Sequence, residues 1–427
     1  MNKLIIKNAR VVSPADSLDD VLDIVIVDGK IAEIGRNLNA DGKTIHADGL
    51  CAIPGLVDMH VHLRDPGQTA KEDILTGCNA AAAGGVTSLL AMPNTEPTTD
   101  NPETVRYILD KAQHAKAKVY VAASITKGLK SEEPTDLEAL CSAGAIGLTD
   151  DGRPVQNTKF LSDAMKEAPN LGMTVVAHCE DLFLADGGKM NEGKISHELG
   201  VKGIPASAED CGTAREIALA AAENVPIHIC HVSTKTSVEL IRDAKHRGVK
   251  VTAETAPHYF SLTERELLKR DADYRMNPPL RTTEDKNAII EGLVDGTLDC
   301  IATDHAPHTP EEKADFEKAP NGSIGMETSL AAGITYLVET GVMPFGKLVE
   351  KMSVNPAKIL GINAGTLSVG APADMALVDL NEKWTVDPNG LHGKSKNTPF
   401  KGLTLTGRVK MTLCDGEIVY QCEQKAL

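Results

Sequence analysis

The sequence has no cluster of basic residues, no C-x-x-C pair, no long unbroken apolar run and no G-x-G-x-x-G after its first long apolar strand. Each absence removes a class of function. Lysine and arginine total 44 against 60 acidic residues, a formal charge of −16. That balance argues against nucleic acid or an anionic membrane as partner, yet leaves room for an anionic small molecule held by a local cation. Nine scattered cysteines, an odd number, and a start, MNKLIIKNARVV, without a secretory core lead us to expect the reducing cytoplasm. The longest uncharged stretch, Ile74 to Thr95, is broken by Gly77, Asn79, Gly84, Gly85 and Pro93, so it reads as helix, turn and strand and not as a membrane span. The missing dinucleotide fingerprint counts against a doubly wound open sheet.

At 427 residues the chain exceeds the ~250–300 at which single cores stop growing, so two folding units are expected. The first ~50 residues read as short β-branched strands with a hairpin signal at Asp28-Gly29, and the same texture returns after Gly365 with Asp415-Gly416. This predicts a small β-sandwich built from both termini, residues 1–54 and 362–427. Between them, residues 55–361 alternate apolar strands with Ala-rich helices. Eight strands are predicted: Gly55–Leu63, Thr87–Asn94, Lys118–Ile125, Ala145–Gly152, Met173–Glu180, Pro226–Ser233, Val249–His258 and Leu298–Asp304. Asn101 and Pro102 mark the N-cap and first residue of one intervening helix. The expected class is α/β, a TIM-type (β/α)8 barrel whose polar residues gather at the C-terminal strand ends.

Those ends carry the chemistry. Alternation turns His60 and His62 the same way, and the later strands close on Asp150-Asp151, His178, His231 and Asp304. A single histidine at a strand end is usually a packing residue, but six nitrogen and oxygen donors repeated at corresponding positions suit zinc or a similar ion. Six exceed the needs of one tetrahedral ion and suggest two metals sharing a carboxylate. Alternation allows only one of Asp150 and Asp151 to face inward. It also predicts that His228 faces the helix layer, and that Cys179 and Cys230 point away from the metals as packing thiols.

The motifs DMHVHLRDPG, AMPNTEP, GLTDDG, AETAPHYF, MNPPLR and TDHAPH occur in the order of the bacterial type I dihydroorotases of the amidohydrolase superfamily, and the resemblance spans essentially the whole chain. It implies two zinc ions bridged by a hydroxide and Asp151, with His60, His62 and Asp304 on one ion and His178 and His231 on the other. No lysine lies between Lys130 and Lys159, where many superfamily members carry a bridging carboxylated lysine. The resemblance also implies substrate contacts from His62, Arg64, Asn94, Asn277, His308, Asn321 and Gly322. Arg64 would offer its fork to a carboxylate, the alternative being a salt bridge with Asp65 or Glu72. Asn321 departs from the family, which has phenylalanine there. The implied reaction is the reversible, zinc-dependent cyclisation of N-carbamoyl-L-aspartate to L-dihydroorotate in pyrimidine (UMP) synthesis, with Asp304 as proton shuttle. A homodimer and an association with aspartate transcarbamoylase are expected from the resemblance alone. The rivals are a hydantoinase or allantoinase, and a non-catalytic dihydroorotase-like subunit. The segment His305–Gly325 is expected either to close over the substrate or to be a mobile surface loop.

Overall fold

Apolar strands from the middle of the chain pair in parallel, each with its successor. In the computed structural model, which describes residues 3–39 and 41–422, these are β1 (Leu56–Val61), β2 (Val86–Ala91), β3 (Lys118–Ala123), β4 (Ala145–Leu148), β5 (Thr174–Ala177), β6 (Ile227–Ile229), β7 (Val251–Thr255) and β8 (Cys300–Ile301). The ring closes beyond β8, where the His62 amide donates to the His305 carbonyl at 2.8 Å and the His305 amide to that of His60 at 3.3 Å. All eight predicted strands are present in a TIM-type barrel, shortened at their ends except that β2 begins one residue earlier than predicted, at Val86.

The lumen is filled by Val57, Met59, Leu90, Met92, Ala122, Val176, Cys230 and Cys300. At its N-terminal end it meets the helix Asn355–Leu360, and the Thr174 hydroxyl, where β5 begins, donates to the Ile359 carbonyl at 3.0 Å. Around the ring, helices such as Pro102–Ala112 supply the outer layer. Its predicted cap is in place, with the Asn101 side chain accepting from the Thr104 amide at 2.9 Å. The uncharged stretch at Ile74 resolves into the helix Ile74–Ala83, a Gly84-Gly85 turn and β2. No helix among the described residues is long and apolar enough to cross a membrane.

Both ends of the chain share one eight-stranded sheet. Its order is Glu417–Gln421, Thr404–Cys414, Met375–Thr385, Cys51–Pro54, Lys3–Ser13, Leu18–Val27 and Lys30–Gly35, with Lys43–His46 also paired to Lys3–Ser13. Ile6, Val11, Ile24, Ile31, Met375, Leu377 and Leu413 form its separate core. Asp28-Gly29 and Asp415-Gly416 make the predicted hairpin turns, all four residues having positive φ. Lys118 at the start of β3 bridges to Asp374 at 2.8 Å and Asp415 at 2.7 Å, tying barrel to sandwich.

Two local irregularities prepare the site. In β1, the four residues Asp58–Val61 lie opposite the three residues Leu89–Ala91, a bulge that lets Met59 pack in the lumen and still turns its neighbour His60 across it. Arg64, His231 and Asp304, just beyond the ends of β1, β6 and β8, have φ of 60°, 34° and 49°. Left-handed backbone is uncommon for such residues, and here it re-aims each side chain after its strand has ended.

Candidate active site

Four imidazoles and two carboxylates meet at the C-terminal mouth of the barrel. From Asp151, the distances are 3.2 Å to His60 Nε2, 3.5 Å to His62 Nε2, 3.5 Å to His178 Nδ1 and 3.6 Å to His231 Nε2. Asp304 Oδ1 lies 3.2 Å from His62 Nε2 and 3.7 Å from His60 Nε2. Two groups of potential ligands, His60/His62/Asp151 and Asp151/His178/His231, therefore share one carboxylate. The neighbouring Asp150 is turned elsewhere: it accepts from the Ile125 amide at 2.7 Å and from the amide and hydroxyl of Thr126.

Although His60 Nε2 and Asp151 Oδ1 face each other, neither completes a hydrogen bond, and both are buried. Orphaned buried atoms of this kind are costly unless another group satisfies them. Nitrogen and oxygen donors converging from several strands fit a divalent cation of intermediate softness. The electrostatics keep both carboxylates in the anionic form that ligates a cation. Burial opposes ionisation of Asp151, but the charge of His60 and the close approach of His178 and His231 hold it well below the usual carboxylate range. Burial likewise disfavours charge on His178, yet Asp151 and Glu180 raise it to about 10. Asp304 is held low against its burial by a hydrogen bond from His62 and by the neighbouring imidazoles, so it stands as an anion.

Beside this cluster is a cavity of about 280 Å³, lined by His62, Arg64, Asn94, Asn277, His308, Asn321 and Gly322 together with Asp151, His178, His231 and Asp304. Asn94 accepts from His62 Nδ1 at 2.7 Å, and Asn277 donates to both oxygens of Glu180 at 3.2 Å. Arg64 donates to the Pro307 carbonyl at 3.2 Å and lies 3.4 Å from His308 Nε2. It has no carboxylate within salt-bridge distance among the described residues, because Asp65 is taken by Lys111 at 2.5 Å and Tyr107 at 2.9 Å, and Glu72 by Thr76 and the Lys394 amide. Burial lowers the guanidinium to about 10, still charged at neutral pH. Gly322 has φ of 136°, and a methyl group there would fall 2.9 Å from His308 Nε2 and 2.8 Å from Ala306 Cβ. A larger crevice of about 520 Å³ at the opposite end of the barrel includes Asp295, Asp299 and Glu350. Those acids are paired with Arg242, Lys245 and Lys347, and no histidine lines it, so it carries no comparable chemistry.

Alternation fails at β6. His228 faces the lumen and not the helix layer: its Nε2 reaches Glu254 at 3.2 Å, and Glu254 reaches His60 Nδ1 at 3.1 Å on the far side. Cys230 also lies in the lumen, beside His60 and Glu254. His231 joins the cluster because β6 ends at Ile229 and its own left-handed backbone swings the ring inward. Cys179 does pack outward, against the helix Ala206–Glu223.

Sequence reasoning missed Glu180, Glu254 and Asn397. Glu254 sits inside the AETAPHYF motif, but nothing in the linear pattern places it against a histidine 194 positions away. Asn397, in the connection between two sandwich strands, donates to the carbonyls of Ala306 and Gly322 at 3.2 and 3.1 Å and accepts from the His308 amide at 3.1 Å.

A dihydro-orotase-like family model matches residues 49–237 and an amidohydrolase family model residues 200–420. The chain is 50% identical to a dihydroorotase of Acetivibrio thermocellus, over 97% of this chain and 98% of that protein, and 50% identical to one of Geotalea daltonii, over 98% and 99%. Among solved structures, the L-hydantoinase of Arthrobacter aurescens superposes with a TM-score of 0.89 at 28% identity, covering 100% of this chain and 98% of its own. A dihydropyrimidinase from Brevibacillus agri does so with 0.87 at 27%, covering 98% and 95%. Hydantoinases thus share the architecture at low identity, whereas the proteins sharing half of the residues end to end are dihydroorotases. The chain belongs to the dihydroorotase family of amidohydrolases, enzymes that hydrolyse cyclic amides.

Proposed function

We propose that this dihydroorotase interconverts N-carbamoyl-L-aspartate and L-dihydroorotate, a step of pyrimidine synthesis, with two zinc ions at the shared-carboxylate cluster. His60, His62 and Asp304 would hold one, His178 and His231 the other, and Asp151 would bridge them. The observation that carries the substrate assignment is Arg64, a buried cation facing the cavity with no carboxylate of its own. Its planar fork matches the carboxylate that both proposed substrates carry.

When bound, the metal ions supply Lewis-acid polarisation of the amide carbonyl and a water acidified to near neutrality. The rest is the work of the side chains. Arg64 and Asn277 orient the ring, and the loop bearing His308, Asn321 and Gly322 walls it from solvent. In the hydrolytic direction Asp304 takes the attacking water's proton and delivers it to the amide nitrogen as the C–N bond breaks. In ring closure it removes the proton from that nitrogen, by microscopic reversibility.

The test pairs metal content per chain with turnover of dihydroorotate, hydantoin and allantoin. Two metals and selective dihydroorotate turnover are expected; a hydantoin preference, or activity without metal, overturns the reading. Glu254 supports the same assignment from below. It accepts from His60 Nδ1 and His228 Nε2, which leaves His60 Nε2 free toward Asp151. Glu254→Gln replaces one acceptor by a donor, and metal affinity in chelator competition should fall about 10–100-fold. An unchanged affinity would separate Glu254 from the metal centre.

A further inference from the structure

Lys313 ends the short helix Pro310–Lys313 in the segment that follows β8. It is 9% exposed, and its ammonium donates to three main-chain carbonyls: Pro320 at 2.9 Å, Ala272 at 3.0 Å and Arg275 at 3.3 Å. No carboxylate lies within salt-bridge distance among the described residues; Asp271 and Asp273, the nearby acids, are both held at 2.6 Å by Lys401. Burying an ammonium against dipoles alone is unfavourable, and it lowers this lysine to about 7. A methionine of similar length would pack there without that cost, but could not hold three carbonyls.

Those carbonyls belong to two different walls. Ala272–Arg275 leads into Asn277, and Pro320 leads directly into Asn321–Gly322, a second, adjoining lip of the cavity. Further bonds join the same two segments: the Gly322 amide donates to the Arg275 carbonyl at 2.9 Å, and the Arg275 guanidinium to the Phe316 carbonyl at 2.5 Å and Asn321 Oδ1 at 3.1 Å. The Asn321 carbonyl then accepts from His308 Nε2 at 2.9 Å. Asn321 therefore fastens this lip with polar bonds.

We propose that Lys313 is a positioning residue that draws the two lips together and fixes the Asn321–Gly322 edge against the substrate, so that it governs substrate affinity and not bond breaking. This rests on the cavity being the substrate site. Wild-type and Lys313→Met holoenzymes are compared in steady-state hydrolysis of dihydroorotate and in digestion by a glutamate-specific protease, for which Glu317 offers a site in the segment. Lys313→Met is expected to raise KM about tenfold with kcat within about threefold, in line with loss of uniform binding. Its cleavage at Glu317 should accelerate and be slowed by N-carbamoyl-L-aspartate. Should Lys313→Met not fold, Lys313→Gln, which retains a donor, is measured in its place, with the same split expected at smaller size. An unchanged KM, or a kcat that falls while KM stays flat, overturns the role of Lys313. A wild-type enzyme inert toward dihydroorotate overturns instead the functional reading beneath it.

Discussion

Asp304→Asn is expected to lower kcat about 10²–10⁴-fold, the range a positioned general base contributes, while the protein stays folded and keeps much of its metal. The geometry separates these outcomes. Asp304 has φ of 49°, a backbone conformation that asparagine tolerates as well as any residue but glycine, so the substitution adds no strain. The amide keeps an oxygen near His62 and His60, which Asp304 approaches at 3.2 and 3.7 Å. It cannot accept a proton in this range of pH. Metal analysis, circular dichroism and turnover on one preparation suffice, and near-normal turnover would remove Asp304 from the proton path.

Arg64→Met is the second large effect. Losing a charge-assisted, two-pronged contact with a carboxylate should lower kcat/KM for dihydroorotate about 10²–10³-fold. Hydantoin carries no carboxylate, so its turnover should barely move and the preference between the two substrates should shrink by the same factor. Arg64→Lys should recover only part of the loss, because an ammonium supplies charge without the planar fork. If dihydroorotate and hydantoin suffered alike, Arg64 would be holding the site together and not reading the substrate. The competing idea of a surface salt bridge is already excluded by the partners of Asp65 and Glu72.

The barrel was legible because each strand is a short apolar run ended by a polar residue, and because the parallel order of such runs leaves few topologies. The residues of the candidate cluster were legible for the same reason: His60, His62, Asp151, His178, His231 and Asp304 all stand at strand ends. Their orientation was less so. Alternation holds only within a regular strand, and the bulge at Asp58–Val61 and the left-handed backbone of His231 both lie where regularity stops. Alternation misplaces His228 and Cys230 because it counts back from His231, although the strand ends at Ile229. Glu254, Glu180 and Asn397 stayed hidden for a different reason. Each acts through a partner on another strand or loop, and a hydrogen bond across the lumen leaves no periodic mark in sequence.

The place of Asn397 has a consequence for modularity. It belongs to the C-terminal stretch whose strands build the sandwich, yet its amide grips Ala306 and Gly322, and its oxygen the amide of His308. A barrel excised at residues 55–361 would retain all six cluster residues and Arg64 and still lose the clasp on the loop that walls the cavity. The sandwich is thus no detachable appendage: replacing it with another would remove the Asn397 contacts to Ala306, Gly322 and His308 along with it.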